Sequence, residues 1–75
     1  MLIISQNKEC LINLEQCAID IEEKEHEFRV VAFQNEDGYM LLGTYSKLEK
    51  AKNVIATIYR IYGGASKFEI PIDEE

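Results

Sequence analysis

The stretch SKLEKAKNVIATIYRIYGG, residues 46–64, decides how the rest of the chain is read. Ser46 followed three residues later by Glu49 has the spacing of a capping box, in which each side chain satisfies a backbone N–H that the first helical turn leaves open. Gly63-Gly64 supplies a left-handed stop. Between these signals Leu48, Ala51, Ile55, Ile58 and Tyr62 recur at three- and four-residue intervals. Val54 and Ile61 widen the stripe until it can lie across a sheet. The spacing predicts a core helix over 47–62.

A helix of that kind needs strands to cover. Phe28 to Phe33 and Tyr39 to Tyr45 are rich in aromatic and β-branched residues and flank Asn35-Glu36-Asp37-Gly38, whose Asp-Gly step is a hairpin signal. Phe28, Val30 and Ala32 point one way and Val31 and Phe33 the other. Met40 and Leu42 oppose Tyr39, Leu41 and Tyr45. Both faces of this hairpin are therefore apolar. Upstream, Cys10, Ile12, Leu14 and then Cys17, Ile19, Ile21 alternate with more polar neighbours, the period of a half-buried strand with a bulge expected at Glu15-Gln16. The run Glu22 to Glu27 is charged enough to be a solvated hairpin tip.

Leu2 to Ser5 reads as a first strand, with Gln6-Asn7-Lys8 as the turn after it. Downstream of the helix, Phe68, Ile70 and Ile72 alternate in a last strand. Pro71 cannot donate to a ladder, so that strand is expected at an edge or ending there. The fold class is α+β: one domain over 1–75, with a small antiparallel sheet of about five strands in the order ββββαβ covered by one helix.

Composition narrows the function. Seventy-five residues supply one core, and a 47% hydrophobic content excludes a disordered chain. Fourteen acidic against eight basic residues give a net charge of −6, which disfavours nucleic-acid phosphates and anionic membranes as partners. No run approaches the length of a membrane span and no targeting segment stands out. Cys10 and Cys17 are too few for a disulfide framework and read as small buried hydrophobes, so the cytoplasm is the expected location.

Motifs that carry chemistry are missing. His26, the only histidine, sits among glutamates in the charged tip. The cysteines are not spaced as a zinc pair, and Asn35-Glu36-Asp37-Gly38 lacks the later ligands of a calcium loop. No phosphate-binding glycine motif or nucleophile elbow is present. No nucleophile, base and orienter set can be assembled, so neither catalytic nor metal residues are assigned and no cofactor is expected.

One charge feature is less bland. Five of the eight basic residues, Lys47, Lys50, Lys52, Arg60 and Lys67, belong to the helix or its exit. Lys47 and Lys50 fall in the first turn, where the macrodipole disfavours cations, so a negative group is expected there. Lys47, Lys50 and Lys52, with Tyr45 as a stacking surface, are the candidate ligand-binding residues.

A single helix covers one face of a small sheet and leaves the other. Either the sheet curls to bury both apolar sets, or the second face packs on another chain. The reading favours a homodimer, with Val31, Phe33, Tyr39 and Leu41 as candidate interface residues.

Ile3-Ile4-Ser5-Gln6-Asn7-Lys8 at the start, Leu42-Gly43-Thr44-Tyr45 before a helix carrying Ala51-Lys52 and Val54, and Phe68-Glu69-Ile70-Pro71 at the end make a familiar order. In it the chain resembles a group of short, uncharacterised proteins of Firmicutes and their phages, over nearly its whole length. Asn7 stands where those proteins more often have aspartate. The resemblance implies a cytoplasmic protein carried by a prophage or other mobile element and transfers no activity. The expected function is a non-enzymatic interaction module that binds another protein or itself, and, if phage-borne, inhibits a host factor. The alternative is an oligomeric binder that sequesters an anionic metabolite or nucleotide near the three lysines.

Overall fold

The computed structural model describes residues 1–34 and 38–73, which form six strands and one helix. The strands are β1 (Leu2–Ile4), β2 (Leu11–Asn13), β3 (Ala18–Lys24), β4 (Glu27–Gln34), β5 (Gly38–Tyr45) and β6 (Lys67–Glu69), with α1 spanning Leu48–Ile61. They make two three-stranded sheets, β2-β1-β6 and β3-β4-β5, in place of the single sheet expected. The second is an antiparallel meander, whereas in the first β1 pairs antiparallel with β2 and parallel with β6.

The sheets separate where a bulge was expected. The Asn13 side chain accepts from the Glu15 N–H at 3.2 Å and starts a 3-10 turn over Leu14–Gln16. That Asx turn breaks the run from Cys10 to Glu22 into two strands that join different sheets. The charged segment that follows is paired almost to its end: Lys24 opposes Glu27, leaving Glu25-His26 as a two-residue loop with positive φ at both positions.

Gln6 ties the sheets together. Its backbone N–H donates to the Leu42 carbonyl at 2.6 Å, and its side-chain amide both accepts from the Thr44 N–H and donates to the Thr44 and Pro71 carbonyls. The β5 edge near Leu42 and Thr44 is thus closed by one glutamine acting as a short strand. As Pro71 implied, β6 lies at a sheet edge and ends before the proline.

The helix is one residue shorter at each end than its spacing predicts. Lys47 takes the N-cap position without a side-chain bond. The expected Ser46–Glu49 box does not form, because it requires the cap three positions before Glu49 and the cap is only two before it. The Ser46 N–H donates instead to Asp73 at 3.0 Å. At the other end Gly63 turns with φ 93°, and the Gly64 N–H returns to the Ile61 carbonyl, so the glycine stop is real.

The core lies between the two sheets and the helix: Ile3 and Ile12, then Val30, Ala32, Leu42 and Tyr45, then Ala51, Val54 and Ile58, closed by Ile70. Leu48 and Tyr62, counted on the core stripe by spacing, are exposed at the helix ends. Tyr45 also changes sides. Val30 opposes Gly43 and Val31 opposes Leu41, so Leu42 is an extra residue in β5. The bulge shifts the alternation beyond it and turns Tyr45 into the core, away from Tyr39 and Leu41. The expected Asn35-Glu36-Asp37 turn lies outside the described residues.

Candidate interaction surface

The outer face of the β3-β4-β5 sheet is assembled by register. Asp20 opposes Val31, Glu22 opposes Arg29, Val31 opposes Leu41 and Phe33 opposes Tyr39, so these side chains share one side. Val31 is 0% exposed yet stands outside the core cluster, whereas Phe33, Tyr39 and Leu41 around it are 39%, 49% and 42% exposed. All four expected interface residues therefore occur on one surface, with Val31 at its buried centre. The Phe33 and Tyr39 rings meet edge to face at 5.7 Å.

Three residues not assigned to the interface from the sequence, Glu22, Arg29 and Asp20, complete this face. The Tyr39 hydroxyl donates to Glu22 at 3.0 Å, and this bond to a carboxylate raises the phenol above its ordinary pKa. Arg29 lies two residues before Val31 on the same strand face, with its side chain only 22% exposed. One guanidinium nitrogen stands 3.4 Å from Glu27, but Nε is buried without a hydrogen-bond partner. Asp20 accepts from the neighbouring Ile21 N–H at 2.7 Å and forms no ion pair among the described residues.

The strand edges are protected. The β3 edge carries Asp20, Glu22, Glu23 and Lys24, a density of charge that opposes addition of a further strand, and Gln6 occupies part of the β5 edge. Docking onto this sheet is therefore favoured over its face.

The expected ligand residues do not converge in the same way. Tyr45 and Lys50 line one groove of about 350 Å³ between the helix and the C-terminal segment, together with Asn53, Phe68 and Asp73. Lys47 and Lys52 are exposed and lie outside it. Asp73 sits 2.8 Å from the Lys50 ammonium, which holds the carboxyl below the usual carboxylate range. The negative group anticipated at the helix start is thus supplied by the chain itself. Burial pushes the Tyr45 phenol up to about 12, and its hydroxyl donates to the Pro71 carbonyl.

A second groove, of about 270 Å³, is lined by Leu14, Ile19, Ile55, Ile58, Tyr59 and Tyr62. His26 is exposed at the β3–β4 tip, and Cys10 and Cys17 are unpaired and half-buried. Among the described residues no group of three or more His, Cys, Asp or Glu is placed to hold a metal ion, and no helix is long and apolar enough to cross a membrane. No family model, curated protein or solved structure matches the chain.

Proposed function

We propose that this protein is a non-enzymatic interaction module that docks another polypeptide on the outer face of its β3-β4-β5 sheet. The observation that carries this reading is the environment of Val31: a fully buried residue outside the core, ringed by exposed Phe33, Tyr39 and Leu41 and by a buried guanidinium N–H without an acceptor. An apolar centre with an aromatic and an arginine around it has the make-up of a protein interface. In a prophage-borne protein, such a face would act by occupying a host factor.

The test is site-specific photo-crosslinking in the producing cells, with the crosslinker at Tyr39 and, as a control, at the exposed Lys52. Adducts at position 39 and none at 52 are expected. No adduct at 39, or equal yields at both positions, overturns the assignment.

A further inference from the structure

We infer that the chain covering this face is a second copy of the same protein, packed sheet against sheet about a two-fold axis, with Arg29 of each protomer meeting Asp20 of the other. This rests on the reading of the face as a docking surface and adds the identity of its occupant. In a two-fold interface a residue pair occurs twice, so a face must complement itself. The outer face does so. It carries an apolar centre in Val31, Phe33 and Leu41, the Arg29 guanidinium, and the carboxylates of Asp20 and Glu22, which make no ion pair among the described residues.

Charge separates this occupant from the alternatives. A basic partner, which the net charge of −6 would attract from a distance, sets like charge against Arg29. A strongly acidic partner faces Asp20 and Glu22. A second copy brings both signs, so that its Asp20 meets the exposed part of the Arg29 guanidinium. Joining through the sheet edges is opposed by the charges along β3 and by Gln6 on β5, so face-to-face packing remains. Three strands of up to eight residues present roughly 14 × 26 Å, from strand spacing and rise. At about 360 Å² a side this lies below the range of stable specific interfaces, so the dimer should be weak and readily reversible.

Sedimentation velocity over a concentration series tests this. The 8.7 kDa chain should pass from one copy to two as concentration rises. Asp20→Arg and Arg29→Asp, each checked for an unchanged far-ultraviolet spectrum, should each weaken association at least tenfold. An equimolar mixture of the two should recover it, because each variant then supplies what the other lacks. Wild-type protein that stays monomeric at millimolar concentration overturns the inference, as does a mixture that fails to recover. Adduct mass separates this failure from failure of the docking reading. Tyr39 adducts heavier than two chains, with a monomer in the centrifuge, remove the second copy and keep the docking face; no Tyr39 adduct removes both.

Discussion

Gln6 grips Thr44 by both ends of its side-chain amide: the Thr44 N–H reaches Oε1 at 3.2 Å and Nε2 reaches the Thr44 carbonyl at 3.3 Å. The same Nε2 stands 2.9 Å from the Pro71 carbonyl, so one side chain links the first hairpin, the β5 edge and the C-terminal segment. Gln6→Glu keeps an acceptor for Thr44 and loses the donor for two carbonyls. Its second carboxylate oxygen then faces both carbonyls, so it should cost about 1–3 kcal/mol in urea unfolding at neutral pH, at least as much as Gln6→Leu, which loses donor and acceptor without adding a charge. A neutral Gln6→Leu would show that the sheets are held by packing alone.

Gly43 is needed for close approach. A Cβ there would come within 2.8 Å of Ile70 Cγ2, in a core where Ile70 is buried. Gly43→Ala should therefore destabilise by about 1–3 kcal/mol through overpacking. Leucine has no Cγ2 branch at Cβ, so Ile70→Leu should recover part of the loss in the double variant. Additive losses would place the clash elsewhere.

The β3–β4 loop carries stored strain. Glu25 and His26 hold φ of 52° and 67°, where side chains other than asparagine and glycine are disfavoured. Replacing the pair by Asn-Gly should stabilise the protein by roughly 1 kcal/mol in the same unfolding assay. An unchanged midpoint would mean that the tip is not held in this conformation.

At the helix start the contributing carboxylate is Asp73. Ser46→Ala should cost about 0.5–1 kcal/mol, since the Ser46 side chain caps no helical N–H but adds a hydrogen bond to Asp73 beside that of its backbone. Asp73→Asn should lower the melting temperature at neutral pH. The Asp73 carboxyl is held below its ordinary range chiefly by Lys50, so its contribution is complete above the unfolded carboxylate pKa and fades as pH falls through the folded one. The gap between wild type and Asp73→Asn should accordingly close below about pH 4. A gap that persists under acid conditions would assign the effect to packing.

The helix, the β4–β5 pairing and the Val31 face are legible in the chain because each repeats a period within a dozen or so residues. What is not legible depends on partners distant in sequence. Asp73 displaces the Ser46 cap from 27 residues away, and Gln6 meets Thr44 across 38. The split into two sheets turns on Asn13, whose place on the polar side of an alternating run conceals the Asx turn it starts. Tyr45 is misplaced by one bulged residue, Leu42, since a slip of one reverses every later side chain. Arg29 was open to detection as the residue two before Val31. Only the structure shows its Nε buried without an acceptor.

The most direct test of the proposed self-association through this face is a dilution series followed by backbone amide NMR, from millimolar to micromolar protein. Shifts that move with concentration and cluster at Asp20, Arg29, Val31, Phe33 and Leu41 are the predicted result. Spectra that do not change with concentration, or shifts gathered instead around Tyr59 and Tyr62, would contradict it.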